Sequence, residues 1–285
     1  MWQSATARFR PPLRRVRRCG AAVAAAIAEV GSAEACLVAI ENPGAEVAPS
    51  SIMRIIDRFG HLGAIREALF ARPDLPLAAR GALVRQLSGA LTDFVADRAW
   101  LARDRAEEVG REECEKATVT IAALHPDHDV RPLIRHLRAG GQLTADLILR
   151  ALLSGNMAMF EGALAELAGL PLRRVQARIR DGRNTGFRAV LDKAGLPSSA
   201  YVVFREVLTA AQEADYDGEF AEAGRLKRRM VERALMGCKR CDIGDVEPLM
   251  ILLRRFATEA AREDARMNCE RLVAGHGMEL GRAAA

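Results

Sequence analysis

The stretch AELAGLPLRRVQARI, Ala165 to Ile179, decides the fold, and LDKAGLPSSAYVVF, Leu191 to Phe204, repeats its central Ala-Gly-Leu-Pro 26 positions further on. Glycine takes a left-handed φ at little cost, so Gly169 ends one helix. Leu170 folds back onto the apolar stripe, and Pro171, with no N–H to lose, suits the first turn of the next helix. The four residues are therefore a stop followed by a start. Ahead of the first copy, Met157, Phe160, Leu164 and Leu167 fall on one helix face; the second copy closes a helix bearing Phe187, Val190 and Leu191 and opens one bearing Val203, Val207 and Leu208.

Outward from this pair the same grammar continues. Thr144 is a suitable N-cap for a helix carrying Leu147, Leu149 and Leu152, with Gly155 as its stop. Towards the N-terminus, Leu37 and Ile40 precede a break at Asn42-Pro43, and Ile52, Ile55, Ile56 and Phe59 follow it; Ile65 and Leu69 precede a break at Pro73 and Pro76, and Leu83, Leu87 and Leu91 follow. Thr92 to Leu124 is rich in both charges and predicts one or two connecting helices with Gly110 as an interruption. Near the C-terminus, Asp245 and Pro248 open a helix whose core stripe is Leu249, Leu252, Leu253 and Phe256. No segment alternates as a strand does.

Short amphipathic helices cannot bury their stripes alone and must stack on neighbours. The expected fold is all-α with little or no sheet, a helical repeat or α-solenoid. Its expected parts are a basic N-terminal arm (1–20), N-terminal helical repeats (21–91), charged connecting helices (92–124), a second helical-repeat region (125–213) and C-terminal helices (214–285).

Composition agrees with this and removes several functions. Half of the 285 residues are hydrophobic and only 5% are aromatic, a helix-former balance in a chain long enough to bury substantial cores. The net charge of +5 resides in the first 30 residues, where Arg8, Arg10, Arg14, Arg15, Arg17 and Arg18 face one acid, Glu29. The rest holds 36 basic and 36 acidic residues, which is not the balance of a general nucleic-acid binder. The Arg cluster followed by GAAVAAAIA, Gly20 to Ala28, imitates an export signal, but the run is short, Ala-rich and flows into Glu29. No run approaches the ~20 apolar residues of a membrane span. Cys19, Cys36, Cys114, Cys238, Cys241 and Cys269 are scattered, so reduced thiols and a cytoplasmic setting are expected.

The segments from ENPGAEVAPSSIMRIIDRF through LRAGGQLTADLILRALLSGN to FRAVLDKAGLP, roughly Ala33 to Gln212, resemble the bacterial family of domain of unknown function 2336. The ordered run of LRAGGQLT, LLSGN and AGLP is specific to it. The resemblance implies a helical, repeat-like fold of the HEAT or leucine-rich-variant kind, and it implies no activity, cofactor or catalytic residue. The leader and the region after about residue 215 lie outside the resemblance.

Three constellations invite chemistry. His125, Asp127, His128, Asp129 and His136 are metal-ligand types, and a metal-dependent enzyme built on them is the alternative function. A Pro-punctuated polar loop with a capping Asp is the preferred reading. Cys238 and Cys241 have zinc-knuckle spacing, but only Cys269 and His276 could complete the set, so a helix junction with two half-buried thiols is preferred. Arg173, Arg174, Arg178 and Arg180, with Arg183 and Arg188 nearby, form a candidate interaction surface opposite Leu172, Val175 and Ile179; a second basic run, Arg225 to Arg233, follows. They suit an acidic partner, an anionic surface or nucleic acid, although no stacking aromatics are interleaved among Arg173 to Arg180 or Arg225 to Arg233 and nucleic acid is disfavoured. Nucleophile elbows, phosphate-binding loops and dinucleotide fingerprints are missing from the sequence. The expectation is a non-catalytic scaffold or adaptor with a protein partner and no cofactor, metal or catalytic residue.

Overall fold

The computed structural model describes residues 19–125, 129–181, 184–198, 200–216, 223–238 and 250–262, with 265, 266 and 269. Among them every regular element is an α-helix, and an isolated parallel bridge joins Cys19 to Ala45. The chain divides into two units, Met1–Gly110 and Arg111–Ala285.

The first unit contains α1 (Ala21–Val30), α2 (Ala33–Glu41), α3 (Pro49–Phe59), α4 (Gly63–Phe70), α5 (Leu77–Asp97) and the start of α6 (Arg103–Leu124). The breaks fall where the prolines predict. Asn42 Oδ1 accepts from the Gly44 N–H at 2.9 Å to turn the chain after α2, and Pro49 opens α3. α1 packs on α2 and α3, α2 on α4, and α3 on α5. Cys36, Ile52, Ile55, Ile56, Ile65, Leu69 and Leu83 form the buried centre, each large aliphatic contributing roughly 1.5–3 kcal/mol by leaving water. Several helix ends in this unit are satisfied by arginine. Arg58 donates to the Ala28 and Gly31 carbonyls at the end of α1, Arg72 to Ile40 at the end of α2, and Arg66 to Gly60 and His61 after α3.

The second unit contains the rest of α6, then α7 (Arg131–Ala139), α8 (Ala145–Leu153), α9 (Met157–Ala168), α10 (Leu172–Arg180), α11 (Asn184–Lys193), α12 (Ala200–Tyr216), α13 (Ala223–Cys238) and α14 over 250–262. α8 is its axis, with every side chain from Leu147 to Leu153 buried, as expected of a helix covered on all sides. α8 packs on α9, α12 and α13, and α9 packs on α7, α10 and α11. Phe160 and Phe204 stack with centroids 6.0 Å apart in this core. Thr144 caps α8 as its sequence position predicts, accepting from the Leu147 N–H at 3.1 Å.

The glycine stops recur here as one hydrogen-bonded form. The N–H groups of Gln142, Asn156, Leu170 and Leu196 donate to the carbonyls five residues earlier, Leu137, Ala151, Ala165 and Leu191, at 2.8, 2.9, 3.0 and 3.1 Å. The residue before each donor is Gly141, Gly155, Gly169 or Gly195, with φ of +66°, +72°, +60° and +74°. This is the Schellman closure, and in an L side chain that conformation is strained. Pro171 sits one step earlier than expected, at the N-cap of α10 with φ −57° and ψ 135°, because the extended backbone leaving the stop must first turn.

Two sequence expectations need correction. Gly110 does not interrupt α6; it lies inside the helix, where a Cβ would stand 2.2 Å from Thr92 Oγ1 and where Ser88 Oγ donates to its carbonyl at 2.7 Å. It is there for close approach. Of the stripe on α5, Leu83 is in the core but Leu87 and Leu91 are exposed, because the distal half of that 21-residue helix extends past the layer that buries its start.

α5 ends in a fifth closure of the same form, with the Trp100 N–H donating to the Val95 carbonyl at 3.1 Å. The left-handed residue is Ala99, with φ 54°. Opposite changes at equivalent stops should therefore have opposite signs. Gly169→Ala is expected to destabilise by about 1 kcal/mol and Ala99→Gly to stabilise by about 1 kcal/mol, measured by urea unfolding of the purified chain.

Candidate functional site

The sequence candidates scatter in the fold. His125 ends α6 with Nδ1 2.9 Å from the Ile121 carbonyl, and His136 is half-buried on α7. Asp127 and His128 lie outside the described residues. Asp129 accepts from the Arg131 N–H at 3.0 Å and Nε at 2.8 Å, and this bonding holds its carboxyl below the usual range. That is loop closure ahead of α7. Among the described residues no group of three or more His, Cys, Asp or Glu is placed to hold a metal ion. The side chain of Cys238, together with Cys241, His276, Arg183 and the basic leader, also lies outside the described residues; Cys269 is an exposed free thiol.

Arg173, Arg174, Arg178 and Arg180 are all exposed on α10, whose buried face is Val175 and Ile179. None of the four makes an ion pair with a described residue. The stem of Arg178 crosses Gly186 of α11, where a Cβ would be 3.0 Å from its Cδ. Arg188 stands apart over the Tyr201 ring at 5.7 Å. Leu172, expected on the buried side, is 38% exposed because it occupies the first turn, ahead of the packed part of the helix.

A surface that the sequence reading missed lies at the end of α5. Leu87, Leu91 and Phe94 follow at i, i+4 and i+7, so they form one helix face, and all three are exposed. The strained stop at Ala99 then presents Trp100, 64% exposed, and Leu101 beside them. Trp100 meets Phe94 edge-on, centroids 5.7 Å apart at 89°. Arg98 lies over both rings, 4.4 Å from Phe94 and 5.9 Å from Trp100. Arg103, bonded to Asp93 and Asp97 at 3.3 and 3.1 Å, supplies a charged rim. The result is an apolar apex with two aromatic anchors and a polar border. The available signal was Phe94 and Trp100 inside a segment otherwise full of charge.

A second unforeseen cluster is buried in the other unit. Arg150 of α8 is 5% exposed, donates from Nη1 to Glu259 Oε2 at 3.1 Å and lies 4.3 Å over the Phe256 ring of α14. Around it stand Glu115 of α6, which accepts from Thr144 Oγ1 at 3.2 Å, and Asp146, one turn before Arg150. Burial, reinforced by Asp146, pushes the Glu115 carboxyl up, and burial pushes Asp146 up, against the pull of Arg150 and Arg111. No short motif encodes this group, since its members come from three helices and Glu259 is 109 residues from Arg150.

Glu115 and Asp146 keep their protons to higher pH in the fold than in the unfolded chain. Their contribution is fully present below the unfolded pKa and is lost as pH rises through the raised folded value. Glu115→Gln keeps the Thr144 bond and removes the charge. Relative to the parent, its melting temperature is expected to gain progressively as pH rises above the ordinary carboxylate range, followed by circular dichroism.

Among the described residues no helix is long and apolar enough to cross a membrane. No curated protein and no solved structure matches the chain. A family model matches residues 17–243, beyond the motif-bearing segments at both ends and past the end of α13. The chain therefore belongs to the bacterial family described as an uncharacterised protein conserved in bacteria, DUF2336.

Proposed function

We propose that this protein is a non-catalytic helical-repeat scaffold or regulatory adaptor, an α-solenoid-like array in the cytoplasm that binds another protein. The observation that supports it most is the apex of Leu87, Leu91, Phe94, Trp100 and Leu101. Exposed apolar side chains are ordinarily scattered singly; a contiguous set with two aromatic anchors and a charged rim has the anatomy of a protein interface. The strained backbone at Ala99 supports the same reading, because strain persists where it positions something useful. A hydrophobic core of two aromatics also favours a protein over a polyanion as the occupant.

The open arginines of α10 favour a second reading, contact with an acidic partner or anionic surface through Arg173, Arg174, Arg178 and Arg180. Such contact would weaken steeply with salt.

The two readings separate in one experiment. Nuclease-treated capture with the full chain as bait is compared with Phe94→Ala/Trp100→Ala and with Arg173→Glu/Arg174→Glu/Arg178→Glu. The aromatic pair is expected to abolish a stoichiometric protein partner, a loss of at least about 2 kcal/mol in binding, while the melting temperature is unchanged. Retention of that partner by the aromatic variant and its loss from the charge-reversed one would transfer the function to α10.

A further inference from the structure

The family-matched residues end at 243, yet α14, beyond them, lies on the buried arginine of the matched part. Its contacts have the pattern of a bound helix. Leu252, Leu253, Phe256 and Ala260 are buried along one stripe, while Ile251, Arg254, Thr258 and Arg262 are exposed. Phe256 follows Leu253 by three and Leu252 by four, and Ala260 follows Phe256 by four, the spacing of an amphipathic helix in a groove. At the centre, Arg150 takes the Phe256 ring on its guanidinium face and the Glu259 carboxylate on Nη1. One arginine thus reads an aromatic and the acid three residues after it, both on one helix face. Arg255 pairs with Glu112 of α6 and fixes the direction.

The fit is also incomplete. Among the described residues the buried Arg150 Nε has no hydrogen-bond partner, and the Glu259 side chain remains a quarter exposed. A buried donor left unmade weakens the complex that leaves it so, which makes the present occupant replaceable by one that satisfies it.

We propose that the groove of α6 and α8 around Arg150 is a helix-binding site, filled in cis by residues 250–262. A protein partner presenting an amphipathic helix, with an aromatic residue followed three positions later by an acid, displaces α14 and takes its place. α14 is then a built-in competitor that sets the threshold for engagement. This site is independent of the apex and stands whether or not the apex binds a partner.

The test uses the full chain with a specific protease sequence inserted after residue 246, and a fluorescent peptide of residues 248–264 as probe. Uncut, the tethered helix holds the groove at high effective concentration, so the probe is expected to bind about 100-fold more weakly than to the cut protein. Probes carrying Phe256→Ala or Glu259→Lys should lose about tenfold or more on the cut protein. A full-length Glu259→Lys variant, uncut, should admit the parent probe while retaining its helical circular dichroism and cooperative melt. The proposal is overturned if the cut protein unfolds as α14 exchanges, which would make α14 a core layer. Equal binding to cut and uncut protein, no binding to either, or indifference to Phe256 and Glu259 overturns it as well.

Discussion

Short helices set the problem that this chain has to solve. α2, α7, α8 and α10 have nine residues each, and every helix leaves about four carbonyls at its C-terminus without an intrahelical partner. In packed layers those carbonyls must be closed within the protein or face water, and where they are closed decides where the chain can turn. The second unit closes its ends by backbone at Gly141, Gly155 and Gly169, spaced 14 residues apart, and again at Gly195. The first unit uses arginine forks from a neighbouring helix or turn, Arg58 over the end of α1 and Arg72 over the end of α2. Helix packing in both units follows from ends that can be buried.

This division explains how much was legible. The glycine stops and the Thr144 cap are local, written within six residues of one another, and the sequence displays them. The stripes of α3, α9, α11 and α12 were equally readable because each is periodic in itself. What could not be read involves long separations. Arg58 reaches a carbonyl 30 residues away, and Arg150 a carboxylate 109 away; neither leaves a spacing to recognise. Leu87 and Leu91 mislead for a related reason. Periodicity reports which side of a helix is apolar, but whether a layer covers that side depends on where neighbouring helices end.

The arginines show why composition understates organisation. Most of the chain is neutral in sum, yet its guanidinium groups occupy distinct environments: helix ends in the first unit, aromatic faces at Phe94 and Tyr201, a half-buried carboxylate at Arg150, and open solvent on α10. A planar fork with an apolar face suits the first three settings, where a lysine would lose either the second hydrogen bond or the stacking. Of these four settings, the last leaves the charge open to recognition. The carboxyls follow the same logic: Asp129, bonded at the surface, is held acidic, while Glu115 and Asp146, enclosed around Arg150, are held towards neutrality.

Trp100 is one of two tryptophans in the chain, the other being Trp2. An indole that is 64% exposed, with a cation beside its ring, emits from a polar environment even when the protein is fully folded. Intrinsic fluorescence from this residue is therefore nearly blind to the cores of either unit and sensitive to what covers the apex. The protein has a built-in optical reporter at the surface where the partner is proposed to dock, and its signal shifts to the blue when that surface becomes dry.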